Sequence, residues 1–175
     1  MKKILIVVDM QNDFIDGALG TPEAVQIVPK VVKKIQSYPR ECIYATRDTH
    51  GADYLTTREG KFLPVEHCII NTEGWQIREE IAQALGDATV IDKKTFGSLM
   101  LPKMMEMECG HEPATIELVG LCTDICVVSN ALLIKAQLPE CDIVVDASCC
   151  AGVTPESHEA ALKTMEMCQI QIINR

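Results

Sequence analysis

The sequence predicts a three-layer α/β/α fold with a mainly parallel, roughly six-stranded sheet of Rossmann-like topology, and three observations support it. Short apolar runs rich in Ile and Val recur at 4–8, 42–45, 88–91, 115–119, 142–145 and 170–173. They are near-continuous rather than alternating, the pattern of strands buried on both faces of a parallel sheet. Between them, segments 24–36, 75–85, 101–108, 124–137 and 155–167 carry apolar residues at three- and four-residue spacing, as crossover helices do. Finally, 175 residues of which 47% are hydrophobic suit one core, so a single domain spanning 1–175 is expected.

The elements follow in order. The opening MKKILIVVDM has two lysines before a short apolar run, but the run stops at Asp9 and no small-residue cleavage site follows. It therefore reads as a buried strand rather than a secretion signal. After the helix at 24–36, the second strand reaches Asp48. Segment 48–73 lacks periodicity, and an irregular stretch that long is more often functional than idle. The third strand ends at Asp92 and Lys93, and the fourth closes at Gly120, where Thr123 or Asp124 can cap the next helix. Ligands of open parallel sheets bind beyond the carboxyl ends of the strands. That rule selects Asp9, Asp48, Asp92 with Lys93, and the Cys122 to Cys126 segment.

Composition removes several function classes. A net charge of −9 opposes a nucleic-acid partner, whose affinity comes largely from clustered Lys and Arg displacing counterions. No apolar stretch approaches the ~18 residues of a membrane span, so a soluble, cytoplasmic protein without a membrane partner is expected. The nine cysteines are odd in number, and the chain is too long and apolar to need a disulfide scaffold. Cys42, Cys68, Cys141 and Cys168 lie in or beside apolar runs and read as core filling.

Cys126 is the exception. At the start of a helix its thiol meets unpaired amides and the positive end of the helix dipole, which favour thiolate, as would a nearby lysine. A small apolar core residue is the competing reading, but Asp9 and Lys93 should arrive at the same sheet edge. Asp9 ends an apolar strand, a costly place for a carboxylate unless a charge or hydrogen bond meets it. Gln11, Asn12, Asp13 and Phe14 then make the segment more particular than a turn requires. Of Lys93 and Lys94 one should face the cleft, and periodicity does not choose between them. Asp48 and His50 have the alternating spacing that turns two extended side chains the same way, and with His67 across the loop they can hold a divalent metal. For His111 and His158, solvated loop or helix positions suffice.

Together these residues resemble the nicotinamidase and isochorismatase-like cysteine hydrolases over nearly the whole chain. VVDMQNDFIDGAL is similar to that family's Asp-x-Gln-Asn-Asp-Phe-x-x-Gly signature, RDTHG to its Asp-x-His, and HCIINTEGW to its His-Cys-x-x-Gly-Thr-x-Gly run. KKTFGS is similar to its lysine motif and VGLCTDICV to its nucleophile motif. The resemblance implies a Cys-Asp-Lys triad of Cys126, Asp9 and Lys93, with Lys93 rather than Lys94 in the active role. It implies a cis peptide bond between Leu121 and Cys122, and an oxyanion hole from the amides of Cys122 and Cys126. Substrate contacts are implied at Phe14 and Leu121, and metal ligands at Asp48, His50 and His67. The ion would be zinc, with iron or manganese as alternatives, and no nucleotide cofactor is implied. The implied reaction converts nicotinamide to nicotinate and ammonia through a thioester, in a homo-oligomer.

Three departures touch the substrate pocket and the metal. Pro64 stands where nicotinamidases usually carry tryptophan, Thr56 near a further ligand histidine of some members, and Asn71 in place of a glycine. Another small amide, a carbamoyl compound or a vinyl ether such as isochorismate is the alternative substrate. From another class, the Cys122/Cys126 pair with Cys149 and Cys150 suggests a thiol redox or sensor protein, which the absence of Cys-x-x-Cys weakens.

Overall fold

Burial on both faces governs the strands: Ile4 to Val8 are each at most 1% exposed. In the computed structural model, which describes residues 2–110 and 112–175, they belong to β1 (Lys2–Val8). The other strands are β2 (Ile43–Asp48), β3 (Thr89–Lys93), β4 (Ala114–Leu121), β5 (Asp142–Ala151) and β6 (Gln171–Ile173). All pair in parallel, in the order β3-β2-β1-β4-β5-β6. The helices are α1 (Asn12–Ile15), α2 (Pro22–Gln36), α3 (Arg58–Phe62), α4 (Glu79–Leu85), α5 (Met100–Cys109), α6 (Val128–Gln137) and α7 (Pro155–Met167). The reading of His111 falls outside the described residues.

Side chains alternate across the sheet and so build two apolar layers. Ile4, Ile6 and Val8 pack with Ile116, Leu118 and Val145 beneath Leu101 and Met105 of α5, Ile134 of α6 and Leu162 of α7. Leu5 and Val7 pack with Val119 and Leu121 on the other face, beneath Ile27, Val31 and Ile35 of α2 and Ile81 of α4. The three layers are those the apolar periodicity predicts. No helix among the described residues is long and apolar enough to cross a membrane.

Some boundaries differ from expectation. β5 extends to Ala151, because Cys149, Cys150 and Ala151 are small and buried although none is β-branched. The fourth helix starts only at Glu79; Trp75 instead gives its indole N–H to Thr49 Oγ1 at 2.9 Å and lies under the Arg47 guanidinium. Cys168 is exposed, since it follows the last turn of α7 rather than facing the core.

Strand order reverses between β1 and β4, the point where open α/β sheets leave a crevice for ligands. Gly120 sits there at φ +118, and a Cβ on it would come within 2.1 Å of Val8 O. Only glycine allows β4 this close to β1. On the α2 face, away from that end, Lys34 Nζ meets Glu117 Oε1 at 2.6 Å and Asp146 Oδ2 at 2.8 Å. Tyr38 donates to Glu117 and Asn174 to Asp146, so this buried network ties α2 to the central strands and the C-terminal segment.

Candidate active site

Three strand ends meet at the crevice. Asp9 follows β1 in the left-handed region at φ 46, a conformation Asp tolerates better than most residues, and this turns its carboxylate off the strand line. Thr46 Oγ1 donates to Asp9 Oδ1 at 2.7 Å, while Lys93 Nζ lies 2.6 Å from Asp9 Oδ2. The same ammonium is 3.4 Å from Cys126 Sγ and 3.2 Å from Asp48 Oδ1. Lys93 is buried and Lys94 exposed, so geometry makes the choice that periodicity left open.

Cys126 stands on a wide turn, Thr123–Val127, in which Val127 N donates five residues back to Cys122 O at 3.0 Å. Such π-type turns recur at functional sites. Asn130 anchors it by donating to Cys126 O at 2.8 Å and accepting from Ser98 N at 2.9 Å. The Leu121–Cys122 peptide is cis, as the resemblance implies.

Burial and neighbouring charges act on this group in opposite directions. Burial pushes the Cys126 thiol well above its ordinary pKa, Asp9 pushes it further, and Lys93 only partly opposes them. Burial likewise raises Asp9 above the usual carboxylate range, with Lys93 pulling the other way. Burial alone would lower Lys93, yet Asp9, Cys126 and Asp48 hold its ammonium above the ordinary value. A cation thus lies beside a sulfur and a carboxylate that both bind protons more readily than their exposed counterparts.

Asp48, His50 and His67 gather next to this group, all buried, with one potential ligand atom from each within 4.8 Å of the others. His67 Nδ1 lies 2.8 Å from Val65 O, which can only accept, so Nδ1 carries a proton and Nε2 is the nitrogen turned to the cluster. His50 Nε2 is 2.9 Å from Asp48 Oδ2 without hydrogen-bond alignment and is a buried nitrogen lacking a hydrogen bond. Glu59 Oε1 approaches to 3.6 Å from His50 Nε2 and 3.8 Å from His67 Nε2. Ligands at ~2 Å around one tetrahedral ion stand roughly 3.3 Å apart, so two imidazoles and carboxylate oxygen fit a zinc-like divalent ion. Thr56 faces solvent, and it is Glu59 that reaches the cluster.

The Gln11 to Asp13 stretch positions these histidines. The buried Gln11 accepts from Asp48 N at 2.7 Å and donates to Asp48 O at 2.8 Å and Trp75 O at 2.9 Å. Asp13 Oδ2 accepts from Cys68 N at 2.7 Å, beside His67. The sequence marked these residues as unusual, and their partners lie across the long irregular segment.

Sulfur and metal cluster open into a cavity of about 120 Å³ walled by Phe14, Leu19, Phe62, Leu63, Phe96 and Ile125. Phe14 lines it as expected. Leu121 does not: it is 1% exposed in the layer under α2, because strand alternation turns its side chain away from the crevice. Pro64 is exposed and off the wall, and Phe62 and Leu63 supply apolar surface instead. His158, on α7, is half-buried, with Nδ1 2.7 Å from Thr123 Oγ1. Leu19, Phe62, Leu63 and Ile125 carried no sequence signal beyond hydrophobicity.

Comparison with known proteins bears on the family and the fold. Nicotinamidase of Escherichia coli is 26% identical over 196 residues, covering 94% of this chain and 90% of its own. The pyrazinamidase of Pyrococcus horikoshii, solved in complex with zinc, is 28% identical and superposes with a TM-score of 0.81 over 100% of both chains. The nicotinamidase/pyrazinamidase of Bacillus subtilis, also 28% identical, gives a TM-score of 0.79 over 98% of this chain and 99% of that one. The isochorismatase domain model matches residues 3–175, and with these strand ends converging as they do, the chain belongs to the isochorismatase family.

Proposed function

We propose that this hydrolase of amide C–N bonds acts on nicotinamide, releasing nicotinate and ammonia, with Cys126 as nucleophile. The observation that carries the reading is the buried Lys93 Nζ standing 2.6 Å from Asp9 and 3.4 Å from Cys126 Sγ, the sulfur itself lining a small cavity with an aromatic wall. The similarity to nicotinamidases and pyrazinamidases supports the choice of substrate.

In this reading Asp9 accepts the Cys126 proton as the sulfur attacks the amide carbonyl, and Lys93 offsets the negative charge on sulfur. The backbone amides of Cys122 and Cys126 receive the developing oxyanion, where loss of one donor costs ~3 kcal/mol. Asp9 returns its proton to the departing nitrogen, ammonia leaves, and an acyl thioester remains on Cys126. Water, deprotonated by Asp9, cleaves the thioester and restores the thiol. Asp48, His50 and His67, with Glu59 or solvent, would hold a divalent ion, zinc first, which would supply a Lewis-acid contact for substrate beside the sulfur. Phe14 and Phe96 stack around the ring and keep water from the sulfur.

Ammonia and acid release from nicotinamide, pyrazinamide and carbamoyl compounds tests the reading. Turnover of nicotinamide well above the carbamoyl compounds is expected. No turnover of either aromatic amide by metal-loaded protein would sink the substrate assignment.

A further inference from the structure

Three residues upstream of Cys126, Thr123 is fully buried, and its hydroxyl lies 2.7 Å from His158 Nδ1. A buried hydroxyl without a partner is costly, and here the partner comes from another element, the first turns of α7. That helix is firmly seated: Thr154 and Ser157 form a reciprocal cap at its start, and Leu162 and Met165 are fully buried. The connection from β5 into α7 also grips the turn, since Val153 N donates to the Asp124 carboxylate at 3.1 and 3.2 Å. Gly152 in that connection lies directly over the histidine, where a Cβ would fall 2.9 Å from His158 Cβ. The absence of a side chain there lets α7 come close enough for the ring to reach Thr123. Burial holds His158 below its ordinary pKa, so a neutral ring, not an imidazolium, faces the hydroxyl.

The turn is thus held at the Cys126 carbonyl by Asn130, at the Asp124 carboxylate by Val153 N and at Thr123 by His158. His158 does not line the cavity and touches neither the sulfur nor the metal cluster. We propose that His158 is a positioning residue: through Thr123 Oγ1 it fixes the start of the turn and so sets the distance from Cys126 Sγ and the Cys126 amide to Lys93 and Asp9. This rests on Cys126 being the nucleophile. A displacement of about 1 Å at a reacting atom can cost on the order of 10²-fold in rate, so one buried hydrogen bond suffices to matter. Because no substrate contact is involved, the effect belongs to kcat and to sulfur reactivity.

The test compares the metal-loaded parent with His158→Leu, His158→Asn, Thr123→Val and the His158→Leu/Thr123→Val double variant. Four quantities are measured: kcat, KM for nicotinamide, the unfolding midpoint, and iodoacetamide alkylation of the Cys126 peptide by mass spectrometry. His158→Leu should lower kcat and Cys126 alkylation about tenfold with KM held within about twofold. His158→Asn, which keeps a polar atom near the Nδ1 position, should recover most of both. Thr123→Val should match His158→Leu, and the double variant should be no worse than either, as one shared interaction requires. His158→Leu protein that keeps parental kcat and alkylation overturns the proposal. So does a loss that His158→Asn fails to restore while the unfolding midpoint matches the parent's. Should Thr123→Val not fold, the two His158 variants decide it. A parent inert towards nicotinamide defeats the substrate reading alone, because alkylation still reports the position of the sulfur.

Discussion

Asp48 Oδ1 lies 3.2 Å from the Lys93 ammonium while its other oxygen turns towards His50. One carboxylate therefore serves both the group around the sulfur and the group around the histidines. Removing it should be felt in both, whereas removing a histidine should be felt mainly in one. We expect His50→Ala to lose bound metal and raise KM for nicotinamide at least about tenfold, with Cys126 alkylation nearly unchanged. Asp48→Asn should lose metal and also alter alkylation. Elemental analysis beside steady-state kinetics checks this, and parental metal content and KM in His50→Ala would remove the metal site from the reading.

Cys126→Ala should abolish hydrolysis, a drop of about a thousandfold or more, with little change in unfolding midpoint. The change deletes a sulfur at a cavity wall rather than a large core side chain. Cys122→Ala should retain substantial activity, because its part is played by its backbone. Ammonia release from both proteins decides the assignment, and parental turnover by Cys126→Ala refutes it.

Lys93→Ala should lower kcat about a hundredfold and Lys94→Ala less than about twofold, since only Lys93 reaches the sulfur. Equal small losses under saturating substrate would leave Asp9 alone to activate Cys126.

Acid should weaken the network under α2. Burial alone would raise the Asp146 carboxyl, but hydrogen bonds from Lys34, Ser148 and Asn174 hold it below the usual aspartate range. A folded-state pKa below the unfolded one gives stability that is present above about pH 4 and lost as pH falls through the folded value. At neutral pH, Asp146→Asn should cost about 2 kcal/mol, less than the ~3–5 kcal/mol seen when a buried charge loses its sole partner, because Lys34 keeps Glu117. Urea unfolding of parent and variant at neutral and acid pH should show that gap closing below pH ~4. A constant gap would mean Asp146 contributes through packing, not charge.

Much of the fold and part of the site were legible because they depend on local pattern. Near-continuous apolar runs identify strands buried on both faces, and the polar residue that stops such a run marks the ligand edge; Asp9 follows from that rule, whereas the choice of Lys93 over Lys94 needs the burial that the fold gives it. Leu121 did not, because a motif names a neighbourhood, whereas strand alternation decides which face each side chain joins. Phe62 and Leu63 belong to a short helix and its end within an irregular segment that has no period to read. His158 lies 35 positions from Thr123, and its spacing on α7 carries no trace of a partner on another element.

Gln11 spends a single amide on both ends of the stretch from Asp48 to Trp75. The stretch is thereby clasped at its base, like a bag drawn shut at the neck, and its tip is left comparatively independent of the sheet. Leu55 and Lys61 lie out on the exposed part of the bag, whereas the buried Tyr54 packs against both imidazoles. The rim can therefore change in shape without slackening the clasp on Asp48 and Trp75 beneath it.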